Sequence, residues 1–107
     1  MIEYLTKEYA EKELQNAKHL FTHESRYKDE RDFCHYSKIE YFLTFQKKIL
    51  AKYESSVADM HSLFNGRGSE YYYYTTFESL NKYIRQYNFP EWNKYLGISE
   101  ENCEQFF

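Results

Sequence analysis

The chain contains few of the residues that interrupt regular secondary structure. Its 107 residues include one proline and three glycines. Because these two residue types mark most turns and element ends, their scarcity favours a few long elements. Aliphatic side chains are also sparse, with 14 leucine, isoleucine and valine residues in total. The apolar core therefore has to be built largely from another class of side chain.

An excess of charge of one sign and long apolar runs are both missing. The chain has 14 Lys and Arg against 17 Asp and Glu, which excludes the strongly basic surface of a general nucleic-acid binder and the strong acidity of a DNA mimic. No apolar run approaches the ~20 residues of a transmembrane helix. The sequence thus predicts a cytoplasmic protein with no membrane partner, in which Cys34 and Cys103 remain thiols.

Aromatic residues are abundant, with 13 tyrosines, nine phenylalanines and one tryptophan. They predict an aromatic-rich core with many rings half exposed at its margin, since each buried tyrosine hydroxyl needs a partner. Phe, Tyr, Met, Ile, Asn and Lys, whose codons are AT-rich, make up 45 residues, against 12 for Gly, Ala, Arg and Pro. This usage indicates an AT-rich genome, such as a low-GC bacterium or its phage, and it explains part of the tyrosine excess by itself.

The spacing of apolar residues predicts helices. Apolar positions recur every three or four residues over 4–23 and 32–53, and a shorter stretch covers 57–64. Pro90 and Gly97 bound a short helix, and a last one begins at Ser99. We expect an all-α fold over residues 1–107, a small single-domain helical bundle of about four to five helices.

The four consecutive tyrosines Tyr71, Tyr72, Tyr73 and Tyr74 admit two interpretations. A helix that begins at Ser69 carries an apolar stripe as far as Tyr87. A strand is favoured by the β-propensity of "YYYYTT", and Thr75 with Glu78 would then cap a later helix. Because no second strand is evident for it to pair with, the helix is the preferred prediction.

The same segment is the predicted protein-binding surface, formed by Arg67, Glu70, Tyr71, Tyr72 and Tyr74. In the helix, Tyr71 and Tyr72 face water beside Arg67, and tyrosine and arginine are enriched in protein interfaces. In the strand, an unpaired edge is open to a partner strand. The alternative is a purely structural role, in which the rings lie flat over the domain's own core.

No catalytic or cofactor signature is evident, so catalytic residues, metal and cofactor are all predicted to be absent. Cys34 and His35 resemble a nucleophile and its base, but neighbours in sequence seldom face each other. His19 and His23, four residues apart on the predicted first helix, are weak candidates for metal ligands.

The preferred function is therefore a non-catalytic protein-binding module. A small inhibitor, an immunity protein or a phage antagonist of a bacterial defence complex would act this way, by occupying a surface of a larger protein or complex. The alternative is a nucleic-acid-associated protein that uses exposed tyrosines and the basic residues of the predicted second helix, Lys38, Lys47, Lys48 and Lys52. A homodimer formed through Trp92, Phe106 and Phe107 is a further alternative.

Overall fold

The structure is a computed structural model that describes residues 3–31, 33–59 and 65–106; side chains are described within these ranges except at 3, 58–59 and 65–68. It contains five strands: β1 (Glu3–Leu5), β2 (Lys18–Lys28), β3 (Phe33–Leu43), β4 (Ile49–Asp59) and β5 (Asn65–Thr75). The α-helices are α1 (Lys7–Leu14) and α2 (Phe77–Tyr87), followed by 3₁₀ helices at Pro90–Tyr95 and Cys103–Phe106. Every strand pairing is antiparallel, in the order β1-β5-β4-β3-β2.

The prediction of an all-α helical bundle is wrong, because the segment expected to be the second helix is a hairpin of β3 and β4. Tyr36, Ile39 and Leu43 have helical spacing, yet in β3 Tyr36 lies on the opposite sheet face from Ile39. The same segment also satisfies the two-residue period of a strand, with Ile39, Tyr41 and Leu43 on one face. An aromatic-rich run can fit both periods, and strand pairing selects between them.

The turn between β3 and β4 contains no glycine, proline or asparagine, so the sequence gives no signal for it. Lys47 instead adopts the left-handed conformation, with φ of 62°. The Thr44 amide donates to the Lys48 carbonyl at 2.8 Å, and the Lys48 amide donates to the Thr44 hydroxyl at 3.1 Å. The residue types that usually mark such a turn are replaced here by a lysine and a threonine side chain.

Most of the other segments predicted to be helical also contain strands. Helix 4–23 is in fact a short strand, an eight-residue helix and most of β2. Of the third predicted helix, 57–59 belong to β4 and 60–64 lie outside the described residues. The tyrosine run is β5, and the helix after it starts only at Phe77, with Thr76 rather than Thr75 as its N-cap. The short helix after Pro90 exists as a 3₁₀ helix.

Helices pack on both faces of the sheet. The face beneath α2 and the 3₁₀ helices, called the α2 face, holds the larger cluster of buried residues, among them Phe21, Tyr41, Leu43, Ile49, Ala51, Leu80, Ile84, Trp92 and Tyr95. The opposite α1 face holds a smaller cluster of Ala10, Leu50 and Tyr72. Within the described ranges, no helix has the length and apolar character that a bilayer crossing requires.

The four long strands extend well beyond this helical cover. Strand residues 18–21, 41–43, 49–51 and 72–75 form a covered half that includes every buried strand residue whose side chain is described. Residues 22–28, 33–40, 52–57 and 69–71 form a projecting half, in which none of the described side chains is buried. The radius of gyration is accordingly 15.7 Å, against about 13 Å for a compact chain of this length.

Candidate protein-binding edge

The tyrosine run divides between the two faces of the sheet because side chains alternate along a strand. Tyr72 is 5% exposed and packs with Ala10 of α1 and Leu50 of β4. Tyr71, on the α2 face, is 45% exposed. The expectation that both rings face water therefore holds for Tyr71 alone, and a single step along β5 separates a core residue from a surface residue.

Tyr71 belongs to a group of aromatic rings on the α2 face, next to β1. Its ring centroid is 5.9 Å from that of Tyr53, with the ring planes 12° apart, and 6.0 Å from that of Tyr4. Tyr4 also meets Tyr73 edge-on at 6.1 Å. Because Tyr4 is 64% exposed, this group presents a large ring area to solvent.

Next to these rings is a pocket of about 330 Å³, which we call the edge pocket. It lies where β1 ends and the chain turns into α1, which Thr6 caps by accepting a hydrogen bond from the Tyr9 amide at 3.2 Å. The pocket is lined by residues of β1 and β5, which are the first and last strands in sequence but neighbours in the sheet, and by the first residue of α1. These residues are Tyr4, Leu5, Lys7, Glu70, Tyr71 and Tyr72. Glu70, Tyr71 and Tyr72 were predicted from the sequence, whereas Tyr4 and Lys7 were missed. Thr6, as an N-cap signal, could have indicated that the helix starts later than residue 4.

A hydrogen bond between Tyr72 and Glu70 influences the protonation of both side chains in the edge pocket. The Tyr72 hydroxyl donates to the Glu70 carboxylate, which holds the pKa of Glu70 below its ordinary value, with a further contribution from Lys52. Burial and the same carboxylate raise the pKa of Tyr72. The pocket therefore keeps a carboxylate beside a neutral phenol, and the Lys52 ammonium lies 4.0 Å from that carboxylate.

The backbone edge of β5 is open beside this pocket. β1 pairs with β5 only opposite Tyr72, Tyr73 and Tyr74. Among the described residues, no strand lies on that side of residues 65–71. The amide and carbonyl groups that point outward along this seven-residue stretch are thus available to another extended chain.

The other edge of the sheet is protected differently. β2 has a register shift between His19 and Phe21, and its sequence "KHLFTHESRYK" carries charged residues at both ends. Bulges and charged side chains are the features by which edge strands resist pairing with other chains. β5 has an irregularity of its own opposite Ser56–Ala58, so the two edges differ chiefly in that β1 already pairs with part of the outer edge of β5.

The other two residues predicted for this binding surface are Tyr74 and Arg67. Tyr74 is half-buried on the α1 face, where its hydroxyl donates to the Glu13 carboxylate at 3.3 Å and the Lys48 ammonium lies 4.9 Å from its ring. Arg67 has a described backbone in β5, but its side chain lies outside the described residues. Tyr74 is thus turned away from the edge pocket.

The four lysines of the nucleic-acid alternative do not form one patch. Lys38 pairs with Glu40 at 3.0 Å and Lys52 with Glu54 at 3.3 Å, both on the α1 face of the projecting half. Lys47 and Lys48 lie in the turn at the covered end, where Lys47 pairs with Glu104 at 2.8 Å. Most of their charge is compensated by neighbouring carboxylates.

The structure separates the residues considered as metal ligands. The bulge in β2 places His19 on the α1 face, edge-on to Phe42 at 5.4 Å, and His23 on the α2 face, 4.5 Å from Tyr87. Two histidines on opposite faces of one sheet cannot share a metal ion. No group of three His, Cys, Asp or Glu within the described part of the chain is arranged to hold one.

The adjacent Cys34 and His35 also point to opposite faces of β3. His35 pairs through Nε2 with the Asp29 carboxylate at 2.8 Å, and Tyr27 stacks on its ring at 4.5 Å. Cys34 is a half-buried free thiol. The structure thus gives His35 partners on its own face, away from Cys34.

The aromatic residues proposed for a homodimer are largely internal. Trp92 is buried and Phe106 packs beside Tyr95, with the ring centroids 5.9 Å apart. Phe107 lies outside the described residues.

The chain was compared with protein-family models, with curated proteins and with solved structures. No family model, no curated protein and no solved structure matches it.

Proposed function

We propose that this chain is a non-catalytic binding protein that receives an extended segment of a larger partner protein on the open edge of β5. The observation that carries the proposal is the seven-residue edge, 65–71, which continues directly from the part of β5 that β1 covers. In strand addition, main-chain hydrogen bonds provide affinity and pockets for alternate side chains provide specificity. The edge pocket supplies such a pocket beside the edge.

The chemistry of the edge pocket indicates which partner segment would fit. Tyr4 and Tyr71 offer ring area suited to an aromatic or aliphatic side chain, since aromatic residues contribute strongly to interface hot spots. Lys7 and Glu70 stand at the same pocket as charges of opposite sign. The preferred partner segment is therefore a strand of up to about seven residues that presents one apolar side chain to the pocket and polar groups to its rim.

A protein of this kind acts by occupancy, without a reaction. Inhibitors, immunity proteins and phage antagonists of bacterial defence complexes work by covering a surface of a larger assembly, and this is the class we assign. We place it in the cytoplasm, which agrees with cysteines that are present as free thiols.

The test is an affinity pull-down from lysate of the native host, with nuclease treatment, for the unmodified protein and two variants. Tyr71→Lys puts a charge at the edge pocket, a substitution that opposes strand addition. Tyr27→Lys is the matched control, because Tyr27 is an exposed tyrosine on the same sheet face at the opposite edge strand. Circular dichroism establishes that both variants fold.

We expect one stoichiometric protein to be retained by the unmodified chain and by Tyr27→Lys, and lost with Tyr71→Lys. Equal retention by both variants would show that the β5 edge is not the binding site. Recovery that disappears on nuclease treatment would instead favour nucleic-acid association.

A further inference from the structure

A second concave site lies on the α2 face, at the point where α2 ends over the middle of the sheet. Its cavity is about 530 Å³, within the range of small-molecule sites in proteins. We call it the tyrosine cleft after the residues that line it: His23, Ser25, Ser37, Ile39, Tyr41, Tyr53, Tyr73, Tyr83 and Tyr87. It shares no lining residue with the edge pocket.

The hydroxyl groups of Tyr41, Tyr73 and Tyr83 in the tyrosine cleft remain protonated at neutral pH. Burial raises the pKa of Tyr41, Tyr73 and Tyr83, and the neighbouring phenols raise them further. These groups therefore act as neutral hydrogen-bond donors and acceptors. The two serine hydroxyls extend the same chemistry toward the projecting half.

Among the side chains that the structure describes, no lysine, arginine, aspartate or glutamate lines the tyrosine cleft. The reason is strand alternation, which places Lys38, Glu40 and Lys52 on the opposite face of the same strands. A charged ligand entering the cleft would lose hydration without meeting an opposite charge, and this penalty is large in a partly enclosed site. The lining thus favours a ligand with no net charge.

The rings around the cleft are fixed by their contacts with one another. The Tyr83 hydroxyl shares a hydrogen bond with His23 Nδ1 at 2.5 Å. Its ring lies 5.3 Å from that of Tyr41 and 4.6 Å from that of Tyr87. Buried Trp92 supports this group, with its ring 5.8 Å from Tyr83 and 5.4 Å from His23. Rings held in this way form a preorganised aromatic wall, which lowers the entropic cost of binding a flat ligand.

We propose that the tyrosine cleft binds an uncharged, planar heteroaromatic ligand of nucleoside size. The aromatic side chains would stack on the faces of the ligand ring, as aromatic side chains stack on nucleobases in other proteins. The tyrosine and serine hydroxyls would hydrogen-bond to the acceptors and donors on its edge. The cleft adjoins the strand-addition edge through the contacts of Tyr53 with Tyr71 and of Tyr73 with Tyr4, but the two sites share no lining residue and each proposal is tested by its own variants.

The test uses the four common ribonucleosides and riboflavin as probes, each titrated into the full chain. Trp92 is the single tryptophan of the sequence and reports binding by its fluorescence, with isothermal calorimetry as the second measurement. We expect a Kd on the order of 10 to 100 µM for the best probe, as is usual for small ligands of this size. Choline and inorganic phosphate serve as the cationic and anionic comparisons.

Two conservative variants locate the binding site. Tyr53→Phe and Tyr83→Phe each remove one hydroxyl and keep the ring, and each should weaken binding by about 3- to 10-fold, the effect of one lost hydrogen bond. Tyr27→Phe is the control, because Tyr27 is an exposed tyrosine outside the cleft, and its Kd should not change. Amide chemical-shift changes centred on β2, β3 and α2 would locate the ligand even if one variant folds poorly.

Three results would overturn the proposal. The first is the absence of saturable binding for every heteroaromatic probe up to millimolar concentration. The second is tighter binding of choline or phosphate than of any of these probes. The third is an affinity that Tyr53→Phe and Tyr83→Phe leave unchanged, with chemical-shift changes away from the cleft.

Discussion

The covered half and the projecting half of the sheet are made by the same four strands, yet they differ in how they are stabilised. In the covered half, Leu43, Ile49 and Leu50 are fully buried between helices and sheet. In the projecting half, the same strands continue without one buried side chain among those described, and the helical cover reaches only nearby residues such as His23 and Ile39. Strand pairing alone is therefore enough to extend the sheet, whereas the packing of helices on the sheet determines where a buried core forms.

The projecting half is stabilised by cross-strand pairs. On its α1 face, Lys38 lies opposite Glu54 and Lys52 lies opposite Glu40, so that neighbouring charges alternate in sign. On its α2 face, Tyr27 stacks on His35. Such pairs contribute roughly 0.2 to 1 kcal/mol each, much less than full burial of an aliphatic side chain. This half is therefore the less stable part of the sheet and the part with more side chains available to a partner.

The largest expected difference between the halves is the cost of removing an aliphatic side chain. Leu43→Ala should lower the free energy of unfolding by about 3 to 5 kcal/mol, since it leaves a cavity in the core. Val57→Ala, in the projecting half, should cost less than about 1.5 kcal/mol because its side chain is only half-buried. Urea denaturation measures both. Equal costs would show that the projecting half is packed against something in solution.

The second difference separates two neighbouring tyrosines of β5. Tyr72→Ala should cost about 2 to 4 kcal/mol, because it removes the central ring of the cluster beneath α1. Tyr71→Ala should change the free energy of unfolding by less than about 1 kcal/mol, as expected at an exposed position. Thermal denaturation of both variants measures this. A greater loss with Tyr71→Ala would contradict the assignment of the two faces.

The third test concerns the turn at the covered end of the β3–β4 hairpin. Lys47 has a φ of 62°, a conformation that costs a residue with a side chain about 1 kcal/mol. Lys47→Gly should therefore stabilise the protein by about 0.5 to 1 kcal/mol in urea denaturation. Glu104→Gln is the control for the lost Lys47–Glu104 ion pair, which is exposed and should contribute little. A loss of stability with Lys47→Gly alone would refute the assigned strain.

The smallest effect belongs to the turn at the projecting end, between β2 and β3. Asp29 accepts hydrogen bonds from the amides of Arg31 and Phe33 and from His35. The His35 hydrogen bond, the largest influence, holds the pKa of Asp29 below its ordinary 3.8. A lowered pKa means that the carboxylate stabilises this turn above pH 3.8 and that the contribution is lost as the pH falls through the lowered pKa.

NMR titration tests this turn. The Phe33 amide signal should titrate with Asp29, with a midpoint below pH 3.8, and Asp29→Asn should abolish that titration. Glu30→Gln, at the exposed neighbouring position, should leave it intact. A midpoint at or above 3.8 would show that the carboxylate gains nothing from His35.

Parts of the fold and of the site could be predicted from the sequence. Of the helix predicted from Ser69 to Tyr87, only the part from Phe77 exists, as α2, where the helical period of Phe77, Leu80 and Ile84 is not matched by strand alternation. Glu70, Tyr71 and Tyr72, which were predicted together because they adjoin in sequence, all line the edge pocket. Tyr4 and Lys7 were not predicted, because they reach the edge pocket through the pairing of β1 with β5, which lies about two thirds of the chain away in sequence.

Composition and local spacing determined the balance of charge, the abundance of aromatic rings and the apolar stripe of α2, whereas the fully buried side chains proved to be mostly leucine and isoleucine. The tertiary structure decided that residues 33–59 form a hairpin and not a helix, because aromatic and β-branched residues satisfy either period until a neighbouring strand supplies hydrogen bonds. It also decided which tyrosines are core and which are surface. A strand turns successive side chains to opposite faces, and only the placement of α1 and α2 determines which of those faces is covered, and where.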